Sequence, residues 1–207
     1  YVNAMSAIKQ VIGNKRFEAS LDDVANADVI LSICSNITEV NPIAGLKVRR
    51  AAKRGAELIV ADVRDTDITK FAAQNLIIKS NSERWFIHGL IKAVVEEELY
   101  DKKVYKEHKK FIDNLSSALK GLSFEEIEEK TGISEKDIVQ AAKAYSKAKK
   151  GVIILGQGIT HQQDGYKSSL NILDLCIITG NIDSKGTAIL PLCDENNEYG
   201  ALESGAA

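Results

Sequence analysis

The chain has 207 residues, 27 Lys+Arg against 29 Asp+Glu for a formal net charge of −2, and 44 % apolar and 27 % charged side chains, the balance of a globular protein and not of a disordered one. With 2 Pro and 14 Gly it is neither collagen-like nor of low complexity, no apolar run approaches the roughly 18–20 residues of a membrane span, and Tyr1-Val2-Asn3-Ala4 does not open a secretory signal. No segment carries the basic excess of a nucleic-acid footprint, and at roughly 100–200 residues per domain the length suits one large domain or two small ones.

Ser20-Leu21-Asp22-Asp23 reads as a helix start with Ser20 as N-cap. Val29-Ile30-Leu31-Ser32-Ile33 follows as a β-branched strand. Pro42 opens a helix whose apolar positions Ile43, Leu46 and Val48 are expected to face away from Lys47, Arg49, Arg50, Lys53 and Arg54, and Gly55 stands where a C-terminal cap belongs. Glu57-Leu58-Ile59-Val60-Ala61 is a second buried strand, which completes a βαβ unit with near-continuously apolar strands. Leu76-Ile77-Ile78 gives a third strand and Trp85–Leu99 a helix with Phe86, Leu90, Ile91, Val94 and Val95 on one side. Residues 101–150 read as helices only, the clearest starting at Ser134-Glu135-Lys136-Asp137 and ending before Gly151. Val152-Ile153-Ile154-Leu155 is a fourth strand, followed by a Gly-rich turn and an apolar helix near Ser168–Thr179. From Gly180 onward the chain is Gly-, Asn- and Asp-rich and reads as an extended loop, with little periodicity beyond Ala188-Ile189-Leu190. The expected fold is α/β: a single domain over 1–207, a three-layer Rossmann-like parallel sheet with a helical insertion at about 80–150.

Ligands of open parallel sheets bind outside the carboxyl ends of the strands, which selects four loops: Cys34–Glu39, Asp62–Thr66, Lys79–Glu83 and Gly156–His161. In them Asp62 suits a ribose hydroxyl pair, Arg64 a phosphate, Gly156 and Gly158 a close backbone approach, and Asn36 a polar contact at a helix N-terminus. Together these suit a nucleotide-like anion. Each also has a plainer reading. Asp62 and Arg64 equally describe a surface ion pair, Ser35, Asn36 and Thr38 describe caps of the Pro42 helix, and Lys47–Arg54 a solvated face. His161 reads as a loop histidine, His88 as a boundary residue and His108 as a solvated one, while Cys34 and Cys176 sit in apolar, unreactive contexts. Cys34, Cys176 and Cys193 form no Cys-x-x-Cys, so no disulfide framework, zinc site or cysteine-ligated cluster is expected within this chain, and a reducing compartment is. Gly-x-Ser-x-Gly, P-loop and His-Glu-x-x-His motifs do not occur.

The motifs follow a familiar order. Ala27-Asp28-Val29-Ile30-Leu31, Ser35-Asn36 with Thr38-Glu39 and Asn41-Pro42, then Lys53-Arg54-Gly55-Ala56-Glu57-Leu58-Ile59-Val60 running into Asp62-x-Arg64 with Thr66, come first. Gly156-x-Gly158-Ile159-Thr160, Thr179-Gly180-Asn181-Ile182, Gly186-Thr187, Pro191-Leu192 and Asn196-Asn197-x-x-Gly200-Ala201 complete the set. Over about residues 18–206 this order resembles the molybdopterin oxidoreductase family, which includes formate dehydrogenase catalytic subunits and the G-type subunit of NADH-quinone oxidoreductase. The resemblance implies the central domain of a larger redox subunit that binds molybdenum through molybdopterin guanine dinucleotide, beside an iron–sulfur cluster held by segments outside this chain. By position it implies that Asn36 and Glu39 lie by the pterin or phosphates, that Asp62 and Arg64 contact guanosine ribose and phosphate, and that Gly156, Gly158 and Thr160 of the fourth loop approach the cofactor, as do Asn197 and Gly200, the segment 180–207 facing it. It further implies other domains of the same subunit and other subunits of an electron-transfer complex as partners. A cytoplasmic location follows, any membrane association coming through those partners, with no span of its own and no nucleic acid.

The sequence departs from the family pattern at several points. Cys34 replaces the usual Gly, Val63 the Pro of Asp-Pro-Arg, Ser80-Asn81-Ser82-Glu83 the Pro-Gly-Thr-Asp loop, Asp183-Ser184-Lys185 a Gly-Arg-Pro, and Cys193-Asp194-Glu195 an Arg-Gly-Gln. The loss of arginine and gain of acids point toward the G-type subunit, with a divergent formate-dehydrogenase-like enzyme beside it. The alternatives are a non-catalytic scaffold of a respiratory complex and a free-standing nucleotide-binding protein.

Overall fold

Strand β1 (Val29–Ile33), helix-connected to β2 (Glu57–Asp62), β3 (Gln74–Ile77), β4 (Gly151–Leu155) and β5 (Ala188–Pro191), forms one all-parallel sheet in the order β3-β2-β1-β4-β5. The computed structural model describes residues 2–12, 20–182, 188–192, 200–201 and 204–205. Side chains alternate across the central strands. Leu31, Ile59 and Ile153 point into one core, while Ile30, Leu58, Val60, Val152 and Ile154 point into the other. Burial on both faces is why these strands are apolar without interruption.

The helices are α1 (Val2–Ile12), α2 (Leu21–Ala25), α3 (Ile37–Val40), α4 (Pro42–Lys53), α5 (Glu83–Glu96), α6 (Lys102–Leu119), α7 (Phe124–Thr131), α8 (Glu135–Lys147), α9 (Gln157–Thr160) and α10 (Gly165–Ile178). One core contains α1, α5, α8 and α10; the other contains α2, α4 and the 3-10 turn at Asp67–Phe71. The three layers expected from the sequence are present. Of the helical stretch between β3 and β4, α5 and α8 carry buried residues of the sheet-facing core, whereas only Ile112 of α6 is fully buried. None of the helices among the described residues is long and apolar enough to cross a membrane.

Local chemistry sets the helix ends. Ser20 and Asp23 form a reciprocal capping box at α2. Asn41 Oδ1 accepts from the Ala44 N–H at 3.1 Å and caps α4, with Pro42 in its first turn. At the other end Gly55, with φ of +102°, lets its N–H reach the Ala52 carbonyl and that of Ala56 the Ala51 carbonyl, the paired bonds of a Schellman ending.

Several expectations are corrected. The buried stripe of α4 is Ala44, Gly45, Val48 and Ala51, while Ile43 and Leu46 are 62 % and 44 % exposed. The cause is close approach: a Cβ on Gly45 would lie 3.1 Å from Thr38 Cα, so small residues must face inward. The third strand starts at Gln74, and as an edge strand it alternates buried and exposed positions. Beyond Gly180 the chain is not all loop, because Ala188–Pro191 is β5, paired with β4 through Ile153↔Ile189. Helix α1, which composition does not single out, packs its Ala4, Met5, Ala7 and Ile8 into the core with α10.

Asp174, on α10, is half-buried, and burial pushes its carboxyl up from 3.8 to about 6. The folded protein therefore binds a proton here that the unfolded chain releases between pH 3.8 and about 6. Its contribution to stability falls as pH rises through that window. Asp174→Asn is expected to raise stability at pH 7 by about 1 kcal/mol, a figure discounted for the solvent-exposed part of the carboxyl, and to leave stability at pH 4 nearly unchanged. Urea titrations at the two pH values check this, and an equal effect at both would refute it.

Candidate functional site

In a sheet of this order the connections leave β1 and β4 in opposite directions, and a crevice opens beyond their carboxyl ends. The structure has a cleft of about 400 Å³ there, within the roughly 300–1,000 Å³ usual for small-molecule sites. Four loops meet in it: the β1 loop brings Cys34, Ser35 and Asn36; the β2 loop Asp62, Val63 and Arg64; the β3 loop Ser80, Asn81 and Glu83; the β4 loop Gln157, Gly158 and Gln162.

The backbone is unusual at this place. Cys34, Asn36 and Asn81 have positive φ of 47°, 34° and 62°, and left-handed non-glycine residues of this kind gather where surrounding structure holds them for function. Asn36 stands at the N-cap position of α3 but makes no side-chain capping bond. Its Nδ2 donates to Glu39 Oε2 at 2.6 Å, and its buried Oδ1 has no partner among the described residues. Ser35 Oγ pairs with Ser32 Oγ at 2.6 Å, and Asn41 supplies the cap of α4. The plainer reading of Ser35 and Asn36 as caps of that helix is thereby removed.

Asp62 ends β2 and is 7 % exposed. Burial raises its carboxyl above the ordinary value, against the N–H groups of Val63, Arg64 and Asn36 and the Arg64 charge, all of which lower it. The bond from Val63 N–H to Oδ1 is 2.8 Å. Arg64 is exposed and makes no ion pair within 4.0 Å among the described residues, so the surface pair with Asp62 does not form. A guanidinium with no direct carboxylate contact among the described residues, at a cleft mouth, is a ready two-pronged anion donor.

One cleft residue is not singled out by the sequence reading. Glu83, the first residue of α5, is 3 % exposed, and its buried Oε2 lacks a partner among the described residues. Its Oε1 receives the Cys34 Sγ–H at 3.9 Å. Burial, with the Asp62 and Glu83 charges, drives the Cys34 thiol far up, so the sulfur stays a neutral thiol. The signal for Glu83 was the one that selected Asp62, an acid at a carboxyl-edge loop.

Other expected residues fall elsewhere. Gly156 is buried and does not line the cleft; a Cβ on it would lie 1.7 Å from the Cys34 carbonyl oxygen. Its smallness lets the β4 loop pack against the β1 loop. Thr160 is 2 % exposed, beneath α1, where its carbonyl accepts from Asn3 Nδ2 at 2.7 Å. Glu39 is exposed beside Asn36, outside the cleft lining. Gly200 is half-buried and outside that lining, and Asn197 lies outside the described residues. His88 is a boundary histidine, bonded to Asn171 Nδ2 at 2.5 Å, its pKa lowered by burial and by the Arg84 charge. Among the described residues no cluster of three or more His, Cys, Asp or Glu is arranged to hold a metal ion.

This arrangement has relatives. The chain is 27 % identical over 203 residues to formate dehydrogenase H of Escherichia coli (strain K12), covering 98 % of this chain and 28 % of that protein. It is 32 % identical over 205 residues to the F420-dependent formate dehydrogenase subunit alpha of Methanocaldococcus jannaschii, covering 99 % and 30 %. With the assimilatory nitrate reductase catalytic subunit of Bacillus subtilis it shares 29 % identity over 203 residues, covering 98 % and 29 %. The chain thus spans less than a third of the length of these curated relatives. Acetylene hydratase from Pelobacter acetylenicus has the same fold, with a TM-score of 0.78 at 21 % identity over 89 % of this chain and 25 % of the other. The model of the molybdopterin oxidoreductase family matches residues 3–207, and the chain belongs to that family.

Proposed function

We propose that this chain is the central domain of a formate-dehydrogenase-like oxidoreductase subunit and that its cleft holds one molybdopterin guanine dinucleotide. The carrying observation is the set of unsatisfied polar groups at the divergence of β1 and β4. Asn36 Oδ1 and Glu83 Oε2 are buried acceptors without partners among the described residues, suited to the N–H edge of a base or pterin. Arg64 suits a phosphate, Asp62 a ribose hydroxyl pair, and Gly158 leaves room for close approach. These residues fit the group. When bound, it supplies the redox chemistry of the family. The work of this chain is to bind it, fix its orientation and keep water from its buried side.

Formate dehydrogenases at 27–32 % identity over nearly the whole chain favour the formate-dehydrogenase-like form over the NADH-quinone oxidoreductase G-type. In this reading the metal's protein ligand and any iron–sulfur cluster come from segments outside this chain. Partner subunits are supported by the name of the M. jannaschii relative, a subunit alpha. One observation favours the scaffold alternative: among the described residues Arg64 is the only cation in the cleft lining, against Asp62 and Glu83, a weak charge balance for a pyrophosphate.

Metal analysis, acid-released pterin fluorescence and nucleotide release on the full-length native protein decide between the two. Molybdenum with pterin and guanine nucleotide is the expected result. Finding neither molybdenum nor pterin overturns the cofactor-holding role and leaves the scaffold.

A further inference from the structure

The segment that carries Asn81 and Glu83 into the cleft is held from outside, by a helix of the β3–β4 crossover. Lys79 follows the last β3 position by two residues, and it meets the carboxyl end of α7 twice. Its backbone N–H donates to the Thr131 carbonyl at 2.9 Å, and its Nζ donates to the Glu129 carbonyl at 2.7 Å. Its methylenes lie over Gly132, whose φ of +78° ends the helix; a Cβ there would be 3.6 Å from Lys79 Cε. A lysine over the last carbonyls of a helix also meets the negative end of its dipole. On the cleft side, the Lys79 carbonyl accepts from Ser82 N–H at 3.2 Å and from Ser82 Oγ at 2.5 Å. Lys79 is thus the common anchor of the turn 79–82. Beyond that turn the Trp85 ring lies 5.8 Å from Lys130 Nζ of the same helix end.

We infer that Lys79 is a positioning residue for the cleft, clamping the Ser80–Glu83 segment to the α7 carboxyl end so that Asn81 and Glu83 are presented to the bound nucleotide. This rests on the nucleotide reading for its ligand and on the bonds above for its geometry. The test compares wild type, Lys79→Met and Lys79→Arg in the full-length protein prepared without cofactor. It reads hydrogen exchange over residues 79–84, melting temperature, and the affinity for GDP as probe.

Lys79→Met is expected to raise exchange in this segment about tenfold and to weaken GDP about tenfold, with Lys79→Arg close to wild type in both and all three melting within about 2 °C. Unchanged exchange in Lys79→Met overturns the clamp. So does increased exchange with a matching fall in melting temperature that Lys79→Arg does not restore, because the lysine is then only structural. Increased exchange with unchanged GDP affinity overturns the link to the cleft. If wild type binds no GDP, it is the nucleotide reading that falls, and the exchange result still decides the clamp.

Discussion

Gly156→Ala is expected to destabilise the protein by about 3 kcal/mol or more, read as a fall in melting temperature of about 6–12 °C for a unit of this size and as loss of soluble yield. The added methyl would sit 1.7 Å from the Cys34 carbonyl oxygen and 2.2 Å from Ser35 Cα. Both are backbone atoms, so no rotamer change makes room; the β1 and β4 loops must separate. That separation strains the Gly156 N–H bond to the Ile33 carbonyl, 3.0 Å long, beside the central strand pair. Gly158 provides the contrast. Its added Cβ would meet Cys34 Cβ at 2.7 Å, a longer approach than at Gly156 and to an atom that substitution at 34 can remove, so Gly158→Ala is expected to cost about 1–2 kcal/mol. Cys34→Gly removes that atom and also suits a residue at φ of 47°. The double variant Cys34→Gly/Gly158→Ala should therefore recover wild-type stability, while Cys34→Gly should not rescue Gly156→Ala. A Gly156→Ala protein that melts within about 2 °C of wild type would show that the loops are not packed this closely.

The same contacts explain what could be read from the chain and what could not. β1, β2 and β4 are legible because both their faces are buried, and only apolar, β-branched runs meet that condition. The caps at Ser20, Pro42 and Gly55 are legible because each is a local hydrogen-bond requirement. Edge strands are less so. β3 carries Gln74, which is buried because its Nε2 reaches the Asp137 carbonyl at 2.8 Å on a helix over sixty residues away, and no local pattern announces that bond. β5 has four residues among Gly, Asn and Asp. The face of α4 is illegible for a different reason. Hydrophobicity turns Ile43 and Leu46 inward, whereas the 3.1 Å approach to Thr38 admits only small residues.

At the site, the rule of carboxyl-edge loops selects the four segments that line the cleft. It does not say which side chains point inward. Glycines at 156 and 158 look alike in sequence, yet one packs loop to loop and the other lines the cleft. Asp62 and Arg64 look like an ion pair, yet the buried Asp62 carboxylate is engaged by the Val63 N–H and feels the Arg64 charge without a direct contact. Glu83 was the converse case. It lies in a carboxyl-edge loop but is also an acid in a helix first turn, ordinarily read as a dipole partner, and its 3 % exposure and an oxygen unpaired among the described residues set it apart.

That separation of Asp62 from Arg64 gives the second large effect. Arg64→Ala is expected to weaken retention of the proposed guanine dinucleotide by the full-length protein by about 1.5–3 kcal/mol, roughly 10- to 100-fold, the scale of hydrogen bonds to a charged group. Without an ion-pair partner among the described residues, the guanidinium loses no internal bond when it engages an anion, so the whole interaction is available for binding. Its removal should leave folding nearly unaffected, since an exposed side chain with no ion pair among the described residues contributes little to stability. Arg64→Lys separates charge from geometry. A lysine keeps the positive charge and loses the planar two-pronged donor, so a phosphate gripped through two parallel bonds should be held less tightly than in wild type and more tightly than in the alanine variant. Raising ionic strength should weaken wild type and the lysine variant more than the alanine variant, because the lost term is the screened one. Nucleotide released on acid treatment, counted per protein after equal dialysis, measures all three. Equal occupancy in wild type and Arg64→Ala would make Arg64 a solvated surface residue and would remove the phosphate contact from the proposed site.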